Sequence, residues 1–368
     1  MLNIQCKKET LLEPLVSVSG IVERRHTLPI LSNILIKKSG DTLSFLATDI
    51  EIQISTEIKI DKKGDDGSLT VSSRKMLDII KSLPENSDVN LIQEEKRVLI
   101  KSGRSKFFLQ TLPSADFPLM ELDQTESEKI KFNQKDLKEL ILKNQYAMAI
   151  QDVRYYLNGL FFILNENEVK IVATDGHRLC FSRKETTTQS NKVEIIIPRK
   201  TIIELSRLLN QGSESVELNI SKNQVEFIFS SIKLVSKLIE GKFPDYERVI
   251  PVTLKNEFKM NRLLLLQAMQ RASILTSDKF KGVRLLLEKD TLKIVAANTE
   301  QEEAQEEIEI NYDGQNLDVG FNVGYLIDVL TNLQSEEILW GFNDSNSSSL
   351  IRLPENDDFK YVVMPMRI

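Results

Sequence analysis

Apolar and polar residues alternate through Leu43-Ser-Phe45-Leu-Ala47-Thr48-Asp49. The alternation returns in Val169-Lys-Ile171-Val-Ala173-Thr174-Asp175 and in Leu292-Lys-Ile294-Val-Ala296-Ala297-Asn298. A period of two marks a half-buried strand. Asp41, Asn167 and Asp290 each stand two residues before a copy, so each copy is predicted to be the return strand of a hairpin. A second phrase keeps the spacing of about 125 residues but changes period. Arg74-Lys75-Met-Leu77-Asp-Ile-Ile80 is answered by Arg199-Lys200-Thr-Ile202-Ile-Glu-Leu205 and by Val323-Gly324-Tyr-Leu326-Ile-Asp-Val329. Apolar positions three and four apart make each an amphipathic helix. A third phrase occurs twice, as Leu112 to Phe117-Pro118 and as Leu238 to Phe243-Pro244. The chain reads as a triplicated domain.

The first repeat opens with a short strand and a helix whose apolar face is Leu11, Leu12, Leu15, Val16 and Val18. Pro14 is expected close enough to the first turn of that helix to be tolerated. A strand hairpin follows from Ile34 to Ile58, then the polar turn Lys62–Ser68, a further strand, a helix from about Arg74 to Leu83, and strands through Val89–Ile92 and Phe107–Leu112. Repeat two runs the same way, with Asn133 placed to cap its first helix and Asp136 favouring the helix N-terminus. Repeat three starts likewise at Asn261. Each unit is then two helices packed on a largely antiparallel sheet, an α+β arrangement. The expected domains are residues 1–125, 129–250 and 256–368, joined by the short polar linkers Gln124–Lys129 and Pro251–Glu257.

Composition narrows the function. Against 54 acidic side chains stand 48 basic ones, a net charge of −6 that speaks against a protein coated all over in positive charge but not against a local basic surface. Cys6 and Cys180 lie in different repeats and suggest neither a disulfide scaffold nor a thiolate metal site. No apolar run approaches the roughly 20 residues of a membrane span, and the first residues have no signal-peptide core, so a cytoplasmic protein is expected. No glycine-rich phosphate loop is present, and no cofactor or metal is expected.

Chemistry concentrates in Asp175-Gly-His177-Arg178, with Asp152 and Arg154 upstream. Three readings stand: a general base oriented by Asp152 or Asp175, a polar turn after a strand, or the wall of a binding pocket. Positive charge recurs at equivalent places. Arg24 and Arg25 follow the first helix of repeat one, Arg74-Lys75 and Arg199-Lys200 open second helices, and Lys279, Lys281 and Arg284 follow the first helix of repeat three. Recurrence at homologous helix ends points to one shared face aimed at an anion, and nothing offers a code for reading bases, so sequence-indifferent phosphate contact is expected. The acidic stretch Glu300–Glu309 is expected to face solvent. At the end of the sequence, Met364, Pro365 and Met366 offer flexible apolar bulk of the kind a groove with several partners uses.

Thr27-Leu-Pro-Ile-Leu31, Ser102-Gly-Arg-Ser105, Gln151-Asp-Val-Arg-Tyr-Tyr-Leu-Asn-Gly159, Ala173-Thr-Asp-Gly-His-Arg-Leu179, Phe243-Pro-Asp-Tyr246, Gly320-Phe-Asn-Val323 and Tyr361-Val-Val-Met-Pro-Met-Arg367 run the length of the chain. Together they resemble the bacterial DNA polymerase III beta subunit. The resemblance implies a sliding clamp without catalytic activity: two chains joined head to tail in a ring of six similar units, with helices lining a hole around duplex DNA. It places Arg25, Arg74, Gln151, Tyr155, Tyr156, Arg199, Lys200, Phe280 and Arg284 toward DNA, and Val323-Gly324 suggests a smaller contribution from the last helix. It also implies a peptide pocket between repeats two and three. That pocket comprises Arg154, Leu157, Thr174, Gly176, His177, Arg178, Leu179, Pro244, Val249, Asn322, Tyr325, Ser348, Val362, Met364, Pro365 and Met366. Short linear motifs of the polymerase III catalytic subunit, the clamp loader, and other polymerases and repair proteins would insert there. Phe107 on one side and Ile274 with Leu275 on the other match the family's dimer interface. The competing expectations are a hydrolase built on Asp152 and His177 and a repeat scaffold that never meets DNA.

Overall fold

The structure is a computed structural model that describes residues 2–22, 28–61, 64–121, 128–212, 214–277, 281–354 and 356–367, the side chains of residues 166 and 187–191 excepted. Arg24, Arg25, His26, Lys279 and Phe280 therefore lie outside the described residues, as does most of the linker after residue 121. Helices fall where the 3.6-residue period predicts them, two to each repeat: α1 (Lys8–Ser19), α2 (Ser73–Ser82), α3 (Gln134–Asn144), α4 (Arg199–Leu208), α5 (Arg262–Ser273) and α6 (Val323–Asn332). Two compact units contain them, Met1–Asp136 with Lys200–Leu238, and Leu137–Arg199 with Ile239–Ile368.

The first unit is built on a twelve-stranded antiparallel sheet that runs from Asn3–Lys7 at one edge to Glu128–Asn133 at the other. Repeat one joins repeat two inside it, because Ile52–Lys59 pairs with Ile232–Lys237 in the register Ile54↔Leu234. α1 and α2 lay Leu11, Leu15, Val18, Met76 and Ile80 in a core with Ile34, Phe45 and Ile54, all essentially inaccessible. Pro14 departs from expectation: it lies in the middle of α1, buried, and not near the first turn. The short strand Asn3–Lys7 runs straight into α1 at Lys8, six residues before Pro14, so the bond that the Thr10 carbonyl would otherwise accept is forgone. Arg207 of α4 donates to the carbonyls of Val16 (3.3 Å) and Ser17 (2.9 Å), satisfying acceptors that the last turn of α1 leaves open. Gly20 packs beside this contact, and a Cβ there would stand 2.0 Å from a Glu204 carboxylate oxygen and push that side chain aside.

In the second unit a six-stranded antiparallel sheet is ordered Gly159–Thr174, Arg178–Pro198, Asn356–Val363, Ser349–Leu353, Glu337–Phe342, Asn256–Asn261. A four-stranded sheet runs Glu303–Glu309, Thr291–Ala297, Gly282–Glu288, Leu317–Asn322. The repeated strand phrase occupies Thr42–Thr48, the second half of Gly159–Thr174, and Thr291–Ala297. In repeat two that strand is continuous through residue 167, its halves pairing with the two halves of Arg178–Pro198. Around Trp340, whose indole N–H donates to Ser349 Oγ at 3.1 Å, the rings of Phe258, Phe321 and Phe342 close the core of repeat three. Asn261 Oδ1 accepts the Leu264 N–H at 3.0 Å and Asn133 Oδ1 that of Lys135 at 2.9 Å, as the cap positions predicted.

The phrase also encodes its own turn. Asp49 Oδ1 accepts the N–H groups of Glu51 and Ile52, Asp175 Oδ1 those of His177 and Arg178, and Asn298 Oδ1 those of Glu300 and Glu302. One short side-chain oxygen thus reverses the chain at the same place in all three repeats. The residue after Asp49 is Ile50, with φ of 79°, and its counterpart after Asp175 is Gly176, with φ of 90°. The left-handed position costs glycine nothing and a β-branched residue a strained backbone.

Candidate binding cleft

A cleft of about 230 Å³ opens in the second unit where repeats two and three share the six-stranded sheet. Its floor follows from strand register: Thr174 stands opposite Leu179, Leu179 opposite Val362, so three apolar or small side chains form one cross-strand row. The turn of Tyr155–Leu157 contributes Tyr156 and Leu157, the Phe-Pro phrase contributes Pro244, Asp245, Tyr246 and Val249, and Met364 closes one end. Beneath lies a buried cluster in which Phe161 stacks on Phe243 at 4.6 Å and Phe181 on Tyr246 at 5.9 Å. An apolar, concave wall with few polar groups accepts apolar side chains.

Two devices hold the cleft in shape. The tail is tied by its backbone, Met364 N–H donating to the His177 carbonyl at 2.9 Å and Met366 N–H to that of Gly320 at 2.8 Å. Arg178 is the second. Only 9 % exposed, its guanidinium donates to Asp175 (3.1 Å), Asp328 of α6 (2.6 Å) and the Tyr146 carbonyl (2.5 Å), and lies 4.4 Å from the centre of the Tyr325 ring. Burial opposes its charge, but Tyr361, Asp328 and Asp175 together outweigh that and raise its pKa. Tyr361 hydroxyl donates to the Tyr325 carbonyl at 2.9 Å, fixing α6 to the same strand.

Of the predicted pocket residues, Arg154, Leu157, Thr174, Gly176, Arg178, Leu179, Pro244, Val249, Val362 and Met364 line this cleft. His177, Pro365, Met366, Asn322, Tyr325 and Ser348 do not; His177 holds the tail through its carbonyl, Tyr325 backs Arg178, and Asn322 caps α6 by accepting Gly324 N–H at 2.9 Å. Tyr156, expected to meet DNA, forms part of the cleft wall. The residues that sequence reasoning passed over are Asp245 and Tyr246, which the phrase Phe243-Pro-Asp-Tyr246 contained, and Tyr146 and Asp328, for which nothing in sequence signals a link to Arg178.

Both acids that the catalytic alternative needs are engaged by arginines. Asp152 accepts two bonds from the Arg154 guanidinium, at 3.0 and 2.8 Å, and that arginine holds its carboxyl down at a pKa of about 2. Asp175 is occupied by its turn and by Arg178. Among the described residues neither carboxylate accepts a hydrogen bond from the His177 ring, and Asp152 acts on it through charge alone.

The basic positions differ in their surroundings. Arg74 and Lys75 are exposed at the start of α2, Arg74 facing Asp78 at 3.7 Å. Lys200 is bound to Asp49 at 2.5 Å. Arg199 is half-buried, donating to the carbonyls of Gln145 (3.3 Å) and Met148 (3.1 Å). Arg284 lies on a strand, its Nε 2.7 Å from Asp318. Tyr155 and Gln151 stand on an exposed loop with Ile150 and Val153, Gln151 at φ 54°. Of the expected interface residues, Phe107 and Leu275 are half-buried and Ile274 is 76 % exposed.

Residues 2–121, 131–245 and 247–367 match, in order, the N-terminal, central and C-terminal domains of the DNA polymerase III beta subunit. The beta sliding clamp of Pseudomonas putida is 42 % identical over 368 residues, all of both chains, and that of Escherichia coli 41 % identical over 362 residues, 98 % of this chain and 99 % of its own. Among solved structures, the Pseudomonas aeruginosa sliding clamp bound to griselimycin superposes with a TM-score of 0.94 at 42 % identity, over the whole of both chains. Three consecutive domain matches and full-length identity of this order place the chain in the DNA polymerase III beta subunit family.

Proposed function

We propose that this chain is a DNA sliding clamp: two copies close head to tail around duplex DNA, and the ring tethers the replicative polymerase to its template without catalysing any reaction. The cleft on the Leu179–Val362 row carries the reading, because an apolar groove tied in shape by Arg178 and the C-terminal tail suits anchor side chains of a short peptide. Its occupants are segments of the polymerase III catalytic subunit, the clamp loader, and other polymerases and repair proteins. Arg25, Arg74, Gln151, Tyr155, Arg199, Lys200, Phe280 and Arg284 meet the DNA, with carboxylate and carbonyl partners at several of them keeping phosphate contacts weak enough to slide. Work of this kind belongs in the cytoplasm.

Ring closure has physical support in two open sheet edges. Ser105–Leu112 is paired on one side from Ser105 to Gln110 and, among the described residues, on the other only through Thr111 and Leu112; it carries Lys106 and Phe107, follows Arg104, and exposes half of Phe108. Among the described residues Glu303–Glu309 pairs only with Thr291–Ala297, and it exposes Glu303, Glu307 and Glu309. A basic edge and an acidic edge with unpaired backbone groups are complementary between copies, with Ile274 and Leu275 adding apolar surface, and such a heterologous contact closes after two subunits.

Retention on DNA tests the topology. Loaded onto nicked circular duplex, the protein should co-elute with the circle through gel filtration and be lost once a restriction enzyme linearises it. Equal retention on both forms would make it an ordinary DNA binder, and retention on neither would remove DNA from the account.

A further inference from the structure

The period of two that builds the cleft floor carries the same sheet face onward. Behind the row Thr174, Leu179, Val362, Leu350 comes a second row, Val172, Phe181, Lys360, Arg352, and then Lys170 opposite Arg183. A second groove, of about 380 Å³, lies over this stretch, and Tyr246 forms a wall of both. Its floor is apolar where Phe181, Ile250 and Leu350 meet, and Val252 stands at its rim, 97 % exposed.

The cations in the second groove are unevenly matched. Lys170 faces Glu168 at 2.7 Å, Arg183 faces Asp358 at 2.8 Å, and Arg352 faces Glu257 at 2.5 Å and Asp357 at 3.8 Å. Among the described residues Lys360 has no carboxylate within ion-pair distance, although it stands directly across the strand from Arg352, and Arg352 Nε is buried with no acceptor. Like charges in a direct cross-strand pair destabilise a sheet, and a buried donor without an acceptor adds to that cost. An anion lying beside Lys360, near the outer nitrogens of Arg352, would relieve the first of these. Successive rows are roughly 6.7 Å apart along a strand, a distance that two extended residues of a bound chain cover.

We propose that this second groove receives the flank of the same peptide whose anchors fill the first cleft, and that the flank carries a carboxylate for Lys360 and Arg352. The inference rests on the peptide reading of the first cleft. Fluorescence anisotropy of the full chain with labelled peptides tests both. One peptide carries only Leu and Phe anchors; others extend it by two Glu, two Gln or two Lys on either side. The Glu flank on one side should tighten binding about fivefold over the bare anchors, an advantage of the size an accessible ion pair gives and one that salt removes. In Lys360→Glu and the milder Lys360→Gln, with melting curves showing the fold retained, the bare peptide should bind as before while the Glu advantage vanishes. Equal affinity of Glu, Gln and Lys flanks, or variants that weaken bare and flanked peptides alike, would overturn the proposal and leave the first cleft standing. Failure of the bare peptide to bind at all would overturn the reading beneath it and the proposal together.

Discussion

Asp152 and Asp175 flank His177 in the one stretch of sequence that suggested catalysis, and both are taken by arginines. The consequence can be read by titration. With its carboxyl held at about 2 against an ordinary 3.8, Asp152 contributes stability above pH 3.8 that is lost as pH falls toward 2, since the folded chain binds that proton more weakly than the unfolded chain. Carbon NMR should find Asp152 titrating near 2, and Arg154→Ala should return it toward 3.8; an unchanged value in the variant would break the assignment. The thiols give the opposite sign at the other end of the scale. Burial pushes Cys6 and Cys180 up to about 12, so above about pH 8.5 the unfolded chain sheds protons that the folded chain keeps, and stability declines from there toward 12. Cys180, whose Sγ donates to the Lys143 carbonyl at 2.9 Å, should resist iodoacetamide at about pH 8 until the protein is denatured; comparable labelling of native and denatured protein would contradict its burial.

The element that decides peptide binding is the strand pair of Leu179 and Val362. Leu179→Ala should cost about 3 kcal/mol in urea unfolding, for a side chain 3 % exposed, and remove most peptide affinity; intact affinity would place the peptide elsewhere. By contrast, Asn261→Ala touches no cleft residue and should cost about 1 kcal/mol through the lost cap of α5 while peptide binding stays unchanged. Strands and helices at this scale were legible in sequence, because periods of 2 and 3.6 in triplicate fix both element type and order. Pro14 sits deeper in its helix than expected because α1 starts at Lys8, before its first apolar residue, and boundaries depend on where hydrogen bonding switches partners more than on composition. Ten of the residues that line the cleft came from the family resemblance. Asp328 and Tyr146, which do not line it but hold Arg178 from behind, had no such signal, since their role is set by the packing of α6 and of the turn after α3 against Arg178, which no local pattern encodes.

For the whole molecule, the triplicated phrase explains why one short sequence motif serves several purposes. The same Asx turn binds Lys200 through Asp49 in repeat one, positions Arg178 beside the cleft in repeat two, and begins the acidic edge strand in repeat three. Repetition supplies the framework, and divergence at equivalent places supplies the cleft, the basic positions and the closing edges. The most direct measurement of the account is polymerase product length on primed circular single-stranded DNA, with clamp loader and polymerase from the same source and ATP. It compares the full chain with one lacking residues 364–368. Long products from the full chain, and short ones from a truncated chain that light scattering still finds dimeric, are expected. Long products from both chains would show that the tail and its cleft do not tether the polymerase, and short products from both would contradict clamp function itself.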